Sequence, residues 1–107
     1  MARREAYALV YARGVTNHLQ FIDAKYDRLI AEKMKEQLEF EPGVETRNRK
    51  PLRQPAPFEA HWEIRFGPDN RFRVLYEIDE ASRTVEILAI GEKEGNRLFV
   101  AEEEVLP

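Results

Sequence analysis

With 107 residues, 43% hydrophobic and 35% charged, the chain carries enough apolar material for one core and too much for a disordered polymer. The absence of cysteine excludes a disulfide framework and thiolate metal sites, and no apolar run reaches the length of a membrane span. The net charge of −3 argues against a polyanion binder, yet residues 47–73 hold seven Lys/Arg against three Asp/Glu, a local +4 that leaves −7 for the rest. Salt screens distant charge within ~10 Å, so a polyanion at close range meets the local surplus. These features point to one domain over residues 1–107 in a reducing cytoplasm, with no signal segment following Met1.

In chain order, Ala6 to Tyr11 alternates Tyr7, Leu9 and Tyr11 against Ala8 and Val10, the pattern of a first strand. Val15, Leu19 and Ile22 then fall at helical spacing. Asp23 can cap a second helix from Ala24, in which Tyr26, Leu29, Ile30, Met34 and Leu38 form one apolar stripe that ends at Pro42-Gly43. The expectation is a helical pair packed on a sheet. Residues 41–57 read as a loop, because Pro51, Pro55 and Pro57 disfavour regular structure. From Phe58 the period is two, with Phe58, Ala60, Trp62, Ile64 and Phe66 on one face and Glu59, His61, Glu63 and Arg65 on the other. After a turn at residues 67–70, Phe72, Val74, Tyr76 and Ile78 alternate with Arg71, Arg73, Leu75 and Glu77. Thr84 to Ile90 is apolar on both faces and reads as a central strand closed by Gly91. Arg97 to Ala101 reads as a short last strand, and Glu102, Glu103 and Glu104 as a solvated tail.

The two strands of the Trp62/Tyr76 hairpin can bury one common face only at an odd offset (an odd number of residues between partners), since pairing Phe66 with Arg71 would put arginine on the apolar side. Directly opposed residues share a face, and such an offset sets Phe66 opposite Phe72, Ile64 opposite Val74 and Trp62 opposite Tyr76. On the other face this sets Arg65 opposite Arg73 and His61 opposite Glu77. Like charges directly opposed cost some tenths of a kcal/mol and call for a counter-charge. Glu63, Glu77 or Glu86 on the same face can supply it, and so can a phosphate held between two guanidinium forks. On that face His61 is a candidate proton carrier and Glu63 a candidate general base. His18, on the first helix, reads as a packing or surface residue. Two distant histidines offer no zinc site, and the five glycines form neither a phosphate loop nor a dinucleotide fingerprint. No metal and no cofactor is therefore expected.

The order strand, two helices, basic loop and antiparallel meander resembles the RelE/ParE superfamily of type II toxin–antitoxin toxins. The resemblance is carried by residues 47–52 (RNRKPL), 62–67 (WEIRFG), 71–78 (RFRVLYEI), 87–93 (ILAIGEK) and 96–99 (NRLF). It implies an α+β fold with an N-terminal strand, a two-helix hairpin and an antiparallel three- to four-stranded meander sheet. It implies a cognate antitoxin as partner. In the RelE branch it implies the ribosome and its mRNA as targets, cleaved without metal by attack of a 2′-hydroxyl on the adjacent phosphate. The resemblance assigns Arg73 to the scissile phosphate, with Arg65 and Lys93 as further cations and Phe99 at the late aromatic position that stacks on a base. Arg47, Arg49, Lys50, Arg53, Arg71 and Arg97 then contact RNA. The sequence departs from the family where His61 and Glu63 stand at strand positions often occupied by lysine, and where Phe99 replaces a frequent tyrosine. A His61/Glu63 pair is the candidate replacement for the proton-transfer groups. A non-nuclease member, either a ParE-like gyrase inhibitor or an inactive RNA- or antitoxin-binding protein, is the alternative.

Overall fold

The structure, a computed structural model, describes residues 5–105. Strand β1 (Ala8–Tyr11) leads into helix α1 (Val15–Gln20), and a 3-10 turn (Ala24–Tyr26) runs into helix α2 (Asp27–Leu38). Strands β2 (Arg49–Pro51), β3 (Trp62–Phe66), β4 (Phe72–Asp79), β5 (Thr84–Glu94), β6 (Arg97–Val100) and β7 (Glu103–Val105) follow. All seven join one sheet in the order β2-β3-β4-β5-β6-β7, with β1 parallel to the first half of β5. The α+β expectation holds, but the sheet is wider than the meander read from the sequence.

Asp23 starts the second helical segment as its side chain suggests, accepting the Lys25 N–H at 3.0 Å. The apolar stripe of α2 buries Ile30, Met34 and Leu38 against the sheet, and α1 adds Val15. These meet Ile64, Phe66, Phe72, Val74, Tyr76, Val85, Ile87 and Ile90 in the main core. Tyr76, fully buried, donates its hydroxyl to the Pro42 carbonyl at 2.6 Å, which ties the end of the helical segment to the middle of β4.

The hairpin adopts an odd offset, as the alternation requires: Phe66 opposite Phe72, Ile64 opposite Val74, Trp62 opposite Tyr76, and Arg65 opposite Arg73. Four other readings need correction. Residues 49–51 form an edge strand on β3 instead of a loop, because Pro51 has no ladder N–H to supply at the very end of the pairing. Phe58 and Ala60 do not belong to β3. Pro57–Glu59 is a 3-10 turn with Phe58 left-handed at φ 59°, and the strand begins at Trp62. The acidic tail is strand β7, reached through Ala101 and Glu102 at positive φ (51° and 68°). Tight turns of this hand normally advertise themselves with glycine or asparagine, and here they do not. Finally, β5 runs on past Gly91 to Glu94.

The face of the sheet away from the helices is also partly apolar. Ala60, Leu75, Ala89 and Val100 are buried there, with Leu52, Leu88 and Val105 packed around them. The segment between β2 and β3 folds back over this second cluster, held by Gln54, whose Nε2 donates to the Ala60 carbonyl at 3.0 Å. Gly91 sits where β5 and β6 approach closely, and a Cβ there would lie 2.5 Å from the Phe99 carbonyl oxygen and 2.9 Å from Val100 Cγ2. Gly91→Ala is therefore expected to force β6 away from β5 at a cost of about 1–3 kcal/mol, read as a lower urea midpoint.

Candidate anion-binding face

The side chains of Arg65 and Arg73 leave β3 and β4 on the face away from the helices, directly opposite each other. On the far side of Arg73 the paired residue is Gly91, and Ala89 stands beside Leu75. Arg73 is 9% exposed, and its Nε approaches the Asn70 carbonyl at 3.5 Å. Burial pulls its guanidinium below the ordinary arginine value; Glu63 opposes this, and Arg65 adds to it. An arginine remains charged at neutral pH under any such shift.

Glu63 lies between the two cations. Its Oε1 accepts from Arg65 Nε at 2.7 Å and pairs with Arg73 Nη1 at 3.5 Å. The counter-charge anticipated for the like-charged pair is thus this carboxylate, itself almost completely buried. Leu75 pairs with Glu63 on β4 and Lys50 pairs with it on β2.

No protein-family model matches the sequence, and no curated protein matches it significantly. Among solved structures, a chain of the toxin–antitoxin complex RelBE2 from Mycobacterium tuberculosis matches with a TM-score of 0.61 and 23% identity, over 82% of this chain and 99% of that one. The fold is RelE-like. At that identity the likeness concerns the fold, and the site must be read from this chain's own residues.

On this RelE-like frame the candidate residues separate into groups. Lys93 lies two residues beyond Gly91 on β5, so it shares the face of Arg65 and Arg73; it is exposed and has no ion-pair partner among the described residues. His61 is on the same face and pairs with Glu77 as its register requires. Its backbone N–H donates to Glu77 Oε1 at 3.0 Å, and its Nδ1 meets Glu77 Oε2. His61 stands just before β3, four residues from Arg65, a span of roughly 13 Å of extended chain. The arginines and His61 therefore do not converge on one point, whereas Glu63 is in contact with both arginines.

Phe99 lies across the sheet from the arginines. It pairs with Glu92, which pairs with the core residue Phe72, and it lines a cleft of about 320 Å³ with His18, Phe21 and Ile90 on the helix side. Arg71 and Arg97 are engaged by carboxylates, Arg71 Nε with Glu92 at 2.6 Å and Arg97 Nε with Glu104 at 3.6 Å. Arg71 also covers the Tyr26 ring at 5.3 Å. Arg49 is a structural bolt, 7% exposed, with Nε donating to the Val44 carbonyl and Nη1 to the Gln37 carbonyl, each at 2.5 Å. Lys50 pairs with Glu45 at 3.5 Å, while Arg47 and Arg53 are exposed without an ion-pair partner among the described residues.

His18, read from the sequence as a packing or surface residue, has a specific role that its spacing did not reveal. Its Nδ1 accepts the Ile90 N–H at 3.3 Å, next to the register shift between β4 and β5, and its ring packs edge-on to Phe58 at 5.8 Å. Burial lowers its pKa from the ordinary 6.5. The unfolded chain then binds the proton more readily than the folded one. Stability is expected to fall as pH drops below about 6.5 and to level off below the folded-state value. His18→Gln should remove that component of a pH series of urea melts. An unchanged series would show that His18 does not titrate as described.

Proposed function

We propose that this chain is the toxin of a type II toxin–antitoxin pair and that the Arg65/Arg73 face acts on RNA phosphate. The observation that carries this reading is the pair of opposed guanidiniums on the face of a RelE-like sheet away from the helices. In the RelE-like reaction the RNA 2′-oxygen attacks the adjacent phosphorus, the bond to the 5′-oxygen breaks, and a 2′,3′-cyclic phosphate forms. The 2′-hydroxyl proton goes to a base, and the leaving 5′-oxygen takes one from an acid. Arg65 and Arg73 stabilise the phosphorane charge by fork-like hydrogen bonds. Lys93 adds a third cation, and Glu63 is the carboxylate within reach of that centre. Arg47 and Arg53, exposed at the edge of the β2 side, are the cations left to meet ribosomal RNA. The complex in which the RelBE2 chain was solved supports a cognate antitoxin as partner.

A second reading is favoured by two particular placements. Phe99 faces the helix side, and His61 is engaged with Glu77 just before β3. Neither reaches the arginines, which suits a non-nuclease member of the fold, such as a gyrase inhibitor. Expressing the chain alone, and then with its neighbouring reading frame, separates these readings. Growth arrest relieved by the neighbour, with cut sites on translated mRNA in primer extension, is the expected result. Arrest with intact mRNA and damaged DNA would move the protein to the second reading. Absence of arrest would remove the toxin role.

A further inference from the structure

The Arg65/Arg73 pair is already occupied, and how it is occupied is informative. One carboxylate oxygen, Glu63 Oε1, serves both guanidiniums, at 2.7 Å and 3.5 Å. No second carboxylate pairs with either arginine among the described residues, so Glu63 alone serves both. The planar fork of arginine is matched by two oxygens, not by half of a shared one. A tetrahedral phosphate between the strands can present separate oxygens to each side chain.

The surroundings provide a way in for the phosphate and a way out for the carboxylate. Arg73 and Glu63 are almost completely buried, with side chains 10% and 8% exposed, while Arg65 is open at 41%. An anion therefore approaches from the Arg65 side. Glu63 also has a second cation beside it. Lys50 is its directly paired residue on β2, and directly paired residues present their side chains to the same face. The present partner of Lys50, Glu45, holds it only loosely, at 3.5 Å on a largely exposed pair. Ion pairs of that kind contribute little and exchange readily.

Building on the reading that these arginines meet RNA phosphate, we infer that Glu63 is an internal counter-ion that closes the site, and that RNA displaces it from Arg65 and Arg73 toward Lys50. Glu63 is then a gating residue and not the base of the reaction. No bond is made or broken in the exchange, and one anion replaces another on the guanidiniums.

The test uses the full chain and a single-stranded oligonucleotide that is 2′-O-methylated throughout, so that it binds without being cut. Glu63→Gln, which keeps the size and removes the charge, should bind about tenfold more tightly at low salt, since a charge-assisted competitor has been removed. Its dependence of log K on log salt should keep the slope of the unaltered chain, because the displaced and the substituted side chain leave the same phosphate contacts in the complex. Binding that is unchanged or weaker in folded Glu63→Gln, with cleavage lost, would overturn the inference and mark Glu63 as the base. If that variant does not fold, the Glu63 side-chain carboxyl carbon of the unaltered chain is followed by NMR during titration with the same oligonucleotide. A shift that saturates with binding is expected, and a resonance that stays fixed would overturn the exchange. Arg73→Ala distinguishes this failure from failure of the underlying reading. If it binds as well as the unaltered chain, the arginines do not hold RNA at all. If it loses binding while Glu63→Gln changes nothing, only the gate is wrong.

Discussion

Arg73→Ala is expected to abolish growth arrest and to lower cleavage of translated mRNA by about 100- to 1000-fold, the usual effect of removing one preorganised donor from a developing oxyanion. Arg73 is the buried member of the opposed pair, and its Nε is steadied by the Asn70 carbonyl. Its position is therefore set before any ligand arrives, and that pre-setting distinguishes it from Arg65. The loss should be catalytic and not structural. In the variant Glu63 keeps Arg65 at 2.7 Å and is not left as a lone buried charge. Arg73→Lys should recover binding only in part, because a point charge cannot reproduce the fork. The measurements are growth curves, primer extension and a thermal melt of each variant. Full toxicity in a folded Arg73→Ala chain would remove this residue from the site.

Phe72→Ala should cost about 3–5 kcal/mol, the range for deleting a buried phenyl ring. Phe72 is fully buried, packs against Tyr26 at 4.9 Å and Phe66 at 5.7 Å, and lies against Gly67, where a Cβ would come within 2.6 Å of its ring. The 3-10 segment before α2, the end of β3 and the turn at Gly67 meet on this one side chain. A domain of this size is typically stable by about 5–15 kcal/mol, so the variant should lose a large share of its margin. The melting temperature should fall by roughly 12–40 °C, taking about 4–8 °C per kcal/mol for a chain near this length. A urea titration that showed a loss below about 1 kcal/mol would mean that the neighbouring rings had closed the cavity. Because Arg71, adjacent in sequence, lies over both Tyr26 and Phe72, the variant should also loosen the Arg71–Glu92 pair.

The two variants separate what the fold needs from what the face does. Phe72 and Arg73 are neighbours on β4 with opposite outlooks, one into the core and one onto the face away from the helices. That division follows from strand alternation and is visible without a structure. The same alternation says nothing reliable about β6, where Leu98, Phe99 and Val100 are all apolar. Pairing with β5 decides there, and it sends Phe99 to the helix side and Val100 to the second cluster. The aromatic expected over the arginines is therefore on the other side of the sheet. Arg49 shows the same limit in a different form. In sequence it is one of a run of cations. In the structure it bridges two carbonyls of a helix end and a turn, a role set by residues that precede it by five and by twelve positions.

The amino-acid sequence by itself determined the hairpin. Its period of two and the requirement that one apolar face be buried exclude any even offset, and the register across the short turn sets Arg65 against Arg73 and His61 beside Glu77. It also determined the apolar stripe of α2 and the position of its cap. The tertiary structure alone decided the edges and the occupancy of the site. Strands β2 and β7 exist because β3 and β6 offer them a ladder, and their own residues, Pro51 and a run of glutamates, do not favour it. Which of three candidate carboxylates neutralises the arginines depends on reach across the sheet. Glu63 has that reach, while Glu77 is taken by His61. Local alternation is a property of one strand, whereas pairing and reach are properties of its neighbours.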